Sequence, residues 1–180
     1  MRIIGGKAKG KLVITLKNNN IRPTGAKVRE AIFNIIAPYI EDSVFLDGFA
    51  GSGAVGIEAI SRGAKKCVFV DNNHASINII KKNINNTGVE DASIVIKDNF
   101  FNFIKQNKYN FDIIFLDPPY AMDGVSDIVV NVQQAGILQE GGLLIIEHES
   151  GIIINSSEKM TLTKQKKYSD TTVSIYERIN

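Results

Sequence analysis

From Val44 onward the chain alternates short, nearly continuous apolar runs with segments whose apolar residues recur every three or four positions. The runs Val44 to Leu46, Cys67 to Val70, Ser93 to Lys97, Ile113 to Leu116 and Leu143 to Ile146 predict strands. Between them, Ala54 to Arg62, Ala75 to Asn86, Phe100 to Gln106 and Val125 to Ala135 predict helices. Strands that are apolar throughout rather than at every second position are covered on both sides, so the alternation predicts an α/β fold with a parallel sheet and helices on both faces. Gly63 and Gly88 follow two of the helices, where a left-handed residue closes the last turn.

Both ends depart from this rhythm. Arg2 to Ile4 and Lys11 to Leu16 read as two short strands joined by the glycine-rich Gly5 to Gly10, an N-terminal β-hairpin extension. After the loop Asn18 to Asn20, Arg22-Pro23-Thr24 leads into a first helix, where Val28, Ile32, Ile35 and Ile36 take helical spacing between Val28 and Ile36. Met160 to Tyr168 and Thr172 to Ile179 alternate like strands around a turn at Ser169-Asp170 and predict a C-terminal antiparallel hairpin. With 180 residues, 44% of them hydrophobic, the chain has enough apolar material for one domain: residues 1–20 as the basic extension and 21–180 as the core.

The lone Cys67 sits in an apolar run and is expected in the core of a reduced, cytoplasmic protein, and no apolar stretch approaches a membrane span. Net charge is only +2, but residues 1–30 carry eight basic side chains and one acidic, while the rest carries thirteen against eighteen. Arg2, Lys7, Lys9, Lys11 and Arg29, with Lys17, Arg22 and Lys27, could form a phosphate-contacting face beside an acidic body; a solvated basic hairpin is the simpler alternative. The histidines, His74 and His148, have no cysteine at ligand spacing, so no metal site is expected.

Two motifs carry chemistry. Asp47 ends the first core strand, and Gly51-x-Gly53-x-x-Gly56 opens the helix after it; Asp71 ends the next strand, where an acceptor for ribose hydroxyls belongs. Small residues let a nucleoside approach the backbone, although the same glycines also suit plain strand-to-helix packing. The carboxylate of Asp47 would repel a pyrophosphate and attract the cationic methionine part of S-adenosylmethionine, which favours a methyl donor over a dinucleotide. Asp98 ends the third strand, placed either to meet an adenine amino group or to cap the following helix. Phe49, Asn72 and Asn99, beside these aspartates, complete the expected cofactor set.

The second motif is Asp117-Pro118-Pro119-Tyr120, directly after an apolar strand. An exocyclic amine is a poor nucleophile because its lone pair is delocalised, and two fixed acceptors can draw that pair out of conjugation. The Asp117 carboxylate supplies one; the Pro118 carbonyl, aimed by restricted neighbouring backbone, supplies the other. Tyr120 offers a ring for the planar target, worth about 1–3 kcal/mol per stacked base. A proline turn ending a strand is the structural alternative.

Taken in order, Arg22-Pro23-Thr24, Val28-Arg29-Glu30, Leu46-Asp47-Gly48-Phe49-Ala50-Gly51-Ser52-Gly53, Ser61-Arg62-Gly63-Ala64 and Asp117-Pro118-Pro119-Tyr120 resemble the RsmD-type bacterial methyltransferases over nearly the whole chain. The resemblance implies a class I, Rossmann-like S-adenosylmethionine-dependent fold with a seven-stranded, mostly parallel sheet. It also implies methylation of a guanine N2 amine in 16S ribosomal RNA, within a small subunit or an assembly intermediate. By that resemblance Asp47, Gly51 and Gly53 line the methionine and ribose, Asp71 the ribose, Asp98 the adenine, and Asp117, Pro118 and Tyr120 the guanine, while Arg22 and Thr24 help close the donor pocket. Gly48 and Ser169 depart from the family pattern. Competing readings are methylation of an adenine N6 or a glutamine amide, a nicotinamide-dependent oxidoreductase resting on the glycine fingerprint alone, and a non-catalytic RNA-binding protein.

Overall fold

Seven strands form one sheet in the order β3-β2-β1-β4-β5-β7-β6. They are β1 (Val44–Asp47), β2 (Lys66–Asp71), β3 (Ser93–Lys97), β4 (Phe111–Leu116), β5 (Leu138–Glu149), β6 (Met160–Tyr168) and β7 (Thr171–Arg178). The computed structural model describes residues 1–15, 25–106, 108–120 and 122–180. The first five strands are parallel, and β7 returns antiparallel between β5 and β6. Because side chains alternate across a sheet, one apolar run feeds two cores. Phe45, Phe69, Ile113, Phe115 and Ile145 belong to one, with α1 (Ala26–Ile40), α2 (Ala54–Ser61) and α3 (His74–Thr87). Leu46, Val68, Ile114, Leu116 and Ile146 belong to the other, with α4 (Phe100–Gln106) and α5 (Ile128–Ala135). Chain order reverses between β1 and β4, so a crevice opens there at the carboxyl edge, where open α/β sheets take ligands.

Element types follow the sequence pattern, and the boundaries move for local reasons. Helix α1 begins earlier and runs through Pro38 to Ile40; Pro38 lies in the last turn on an exposed face, where solvent can satisfy the carbonyl it leaves unbonded. The 125–135 helix starts as a 3-10 turn, Val125–Asp127, before α5. Strand β5 is longer than its apolar stretch because it begins at Leu138, and its pairing with β4 shifts register between Phe111 and Ile113. Gly88 closes α3 as a left-handed cap, at φ 69°.

The N-terminal extension has the antiparallel sense of a hairpin, but its strand pairing among the described residues is the single bridge between Arg2 and Leu12. The Ile3 amide donates to the Lys11 carbonyl, Gly10 to that of Ile3 and Val13 to that of Met1, and the helices the segment crosses satisfy further backbone groups. Glu58 of α2 accepts from the Ile4 and Gly5 amides at 2.8 Å each, Ser61 accepts from Ala8, and Asn83 of α3 exchanges two bonds with Ile14. Gly6, at φ 73°, has no space for a side chain: a Cβ there would lie 1.7 Å from the Ser61 carbonyl oxygen. Ile3, Ala8 and Val13 are buried, so the segment is part of the core on the α2 and α3 side.

Candidate active site

Helix α2 can press against β2 because Gly56 has no side chain; a Cβ there would stand 2.3 Å from the Phe69 ring and 2.6 Å from the Cys67 sulfur. That close approach brings the Gly56 amide to Asp47, whose Oδ2 accepts it at 2.9 Å. The glycine loop is held from the next strand as well. Asp71 Oδ2 accepts from the Gly51 amide, and its Oδ1 from the Asn73 amide, both at 2.8 Å. Asp71 therefore pins the loop that it was expected to serve only through a ligand. Asn73 caps α3 by accepting from Ala75 and Ser76. After β3, Asn99 caps α4 by accepting from Phe101 and Asn102, while Asp98 takes the Asn99 amide at 2.7 Å. The capping alternative for Asp98 thus goes to its neighbour, and the Asp98 carboxylate is left at the strand end.

These residues share one cavity of about 460 Å³. Asp47, Asp71, Asp98 and Asp117, from the carboxyl ends of β1, β2, β3 and β4, all line it, together with Phe49, Gly51, Asn72 and Asn99. Gly53 sits at the start of α2 with φ 76°, a conformation that suits glycine. Asp47 is 2% exposed, and burial pushes its carboxyl up to about 7, opposed by the Gly56 amide bond and reinforced by the negative charge of Asp71. Phe49 packs on Phe100 with ring centres 5.0 Å apart, forming an apolar wall. Among the described residues no three His, Cys, Asp or Glu side chains are grouped to hold a metal ion.

The tetrapeptide reaches the same cavity from β4. Pro118 is buried, Asp117 half-buried, and Tyr120 exposed with its hydroxyl 2.8 Å from that of Thr171 on β7. Phe115 pairs with Asp47, which places Asp117 two residues farther along the neighbouring strand, toward the same face. Glu147 lines the cavity too and was not among the expected site residues; it follows the apolar run 143–146 as Asp117 follows 113–116, and that parallel is the signal that points to it. Arg22 and Thr24 lie outside the described residues.

The basic set divides. Lys7 and Lys9 are exposed; Arg2 and Lys11, also exposed, donate to the Gly10 and Thr87 carbonyls. Arg29 requires a correction. It was expected on the phosphate-contacting face, yet it is 1% exposed, with guanidinium bonds to the Arg2 carbonyl and the Met1 sulfur and its Nε 3.7 Å from Glu58. Its place on the buried stripe of α1, one position after Val28, makes it an internal tie. Burial pulls its guanidinium below the ordinary arginine range, opposed by Glu58 and assisted by Arg62.

A strand-end ring of acids on this sheet order defines a Rossmann-like methyltransferase fold. The family model described as "Conserved hypothetical protein 95" matches residues 1–177, and the chain belongs to that family, the RsmD-type methyltransferases that its motifs resemble. It is 34% identical over 180 residues to "Ribosomal RNA small subunit methyltransferase D" of Haemophilus influenzae, covering 98% of this chain and 93% of that one. The Escherichia coli K12 protein of the same name is 34% identical over 149 residues, covering 83% and 75%. The solved "Putative methyltransferase yhhF" of Escherichia coli superposes with a TM-score of 0.88 at 30% identity, covering 99% and 98%.

Proposed function

We propose that this chain uses S-adenosylmethionine to methylate the N2 amine of a guanine in small-subunit ribosomal RNA. The observation that carries the reading is that one cavity joins the Asp47, Asp71 and Asp98 strand ends to the Asp117-Pro118-Pro119-Tyr120 segment. The small-subunit methyltransferase names of its relatives support the RNA target; the proposed substrate is that RNA within a small subunit or an assembly intermediate, in the cytoplasm. A dinucleotide oxidoreductase fits less well, because the buried carboxyl of Asp47 faces the place where a pyrophosphate would lie. A purely RNA-binding role gives the acid-lined cavity no occupant.

Asp47 would hold the cationic methionine portion, Asp71 the ribose hydroxyls, and Asp98, with Asn99, the adenine edge. When bound, the donor supplies an electrophilic methyl on a sulfonium sulfur; the C–S bond breaks with its electron pair going to sulfur as the N–C bond forms. Asp117 and the Pro118 carbonyl hold the two amine hydrogens, so that the nitrogen lone pair faces the donor side. A carboxylate is far too weak a base to deprotonate a neutral aryl amine, but it readily takes the proton from the cationic nitrogen that forms as the methyl arrives. The direct test is labelled-methyl transfer to small subunits lacking the modification, followed by digestion: N2-methylguanosine is expected, and label in any other nucleoside rejects the assignment.

Asp47 gives the reaction a pH signature. Its carboxyl titrates near 7 in the folded chain against about 3.9 unfolded, so its burial costs progressively more stability as pH rises between those values. A cation beside it favours the charged form, so S-adenosylmethionine binding should release protons at pH 6. Affinity should strengthen up to about pH 7 and then level off. Calorimetry in buffers of different ionisation enthalpy reads this directly; in Asp47→Asn the proton release should vanish, and its persistence would assign it to another group.

On the RNA side, Lys7→Glu with Lys9→Glu should weaken binding and flatten its salt dependence. Each lost phosphate contact lowers the slope of log K against log salt by about 0.7–0.9. A slope matching wild type would make the N-terminal segment a bystander in RNA binding.

A further inference from the structure

The last paired residues of β4 and β5 are Leu116 and Ile146, so Asp117 and Glu147 are next in that register, Asp117 just past the end of β4 and Glu147 still in β5, paired with Val173 of β7. Adjacent strands are about 4.8 Å apart, and both side chains lie on the face carrying Phe115 and Ile145. Glu147 lines the same cavity as Asp117 and is 7% exposed. The proposed amine transfer calls on Asp117 and the Pro118 carbonyl and gives this second carboxylate no task.

Resting on the proposed function, we infer that Glu147 is the base-selecting acceptor, reading the ring N1–H that neighbours the N2 amine of guanine. The three nucleobases with exocyclic amines differ at this position. In guanine the ring nitrogen flanking the amine on the Watson–Crick edge carries a hydrogen. In adenine and cytosine the corresponding nitrogen carries a lone pair. Two neighbouring carboxylates can therefore accept from adjacent donors of guanine, N2–H at Asp117 and N1–H at Glu147. Adenine or cytosine presented in the same way would set a lone pair against the Glu147 carboxylate. Asp117 selects an amine, and Glu147 selects which base carries it. A site built to pair with a polar substrate group rejects an analogue lacking it far more strongly than an apolar pocket rejects a change of size.

The test compares two RNAs, one with guanosine at the position mapped by methyl transfer and one with 2-aminopurine there. The second base keeps the N2 amine but has an acceptor lone pair at N1. Wild-type kcat/KM should favour guanine by about 10³-fold or more. In Glu147→Gln the side-chain amide can turn its NH2 toward that lone pair, so the preference should shrink at least tenfold. The thermal shift given by S-adenosylhomocysteine should stay at its wild-type size, which shows an intact fold. A purely structural glutamate would lower both rates together and leave their ratio alone. Guanine methylated by wild type with an unchanged ratio in Glu147→Gln overturns the inference and spares the proposed function. The wild-type enzyme serves as a second check should the variant not fold, since a preference below threefold also overturns the inference. Wild type that leaves guanine unmethylated overturns both.

Discussion

Asp117→Ala should lower single-turnover methyl transfer by about 10²–10⁴-fold, the range expected when a positioned proton acceptor is removed. S-adenosylmethionine binding should stay near normal. Asp117 lines the cavity from the end of β4, whereas the residues assigned to the donor come from β1, β2 and β3. The loss should therefore appear in the chemical step at saturating donor and RNA, with RNA affinity changing much less, since one hydrogen-bond acceptor contributes little beside the phosphate contacts. Asp117→Asn separates two duties of the carboxylate. The amide keeps an acceptor oxygen for an amine hydrogen but is a far weaker base, so it should fall between alanine and wild type. Full turnover in the alanine variant would remove Asp117 from the mechanism.

The parts of this molecule that sequence made legible are those where local pattern and global fold ask for the same residues. The runs 113–116 and 143–146 are apolar at every position because β4 and β5 are covered on both faces, and period alone assigns them. Asp47, Asp71, Asp98 and Asp117 were legible because each ends a strand, and strand ends of a parallel sheet meet at one edge. Arg29 was not legible. It reads as a surface cation by type, and only the fold brings the fully buried Glu58 beneath it, from another helix. The N-terminal pairing was half legible. Its apolar residues were visible, but sequence could not show that Glu58, Ser61 and Asn83 would satisfy backbone groups that a longer β ladder would otherwise occupy. Gly48 has a local reason: a Cβ there would stand 2.4 Å from a Leu116 methyl and 3.0 Å from the Phe100 ring, so the Phe49 and Phe100 wall fills the space of a bulkier residue.

Glu58→Ala should be among the most destabilising single substitutions in this chain, at about 3–5 kcal/mol, because it leaves Arg29 as a buried charge without its counter-ion. At about 2–4 °C per kcal/mol for a domain of this size, the melting temperature should fall by roughly 10 °C. The Glu58 carboxylate is fully buried; it accepts from the Ile4 and Gly5 amides and from Arg62 Nε at 2.7 Å, so its loss also releases three donors. In native-state hydrogen exchange the Ile4 and Gly5 amides should lose protection first, ahead of the sheet. A pair of variants isolates the charge. Arg29→Met with Glu58→Leu should cost less than the two single changes added together, because neither leaves an unpaired ion when the other is present. Strict additivity would mean that the carboxylate acts through the backbone amides and Arg62 and not through Arg29. Since Met1 and Arg29 both line the cavity proposed to hold the donor, the alanine variant should also bind S-adenosylmethionine more weakly, which would tie the N-terminal segment to the site it borders. A melting temperature within about 2 °C of wild type, a change of no more than roughly 1 kcal/mol, would show that the N-terminal segment is held by its apolar contacts instead.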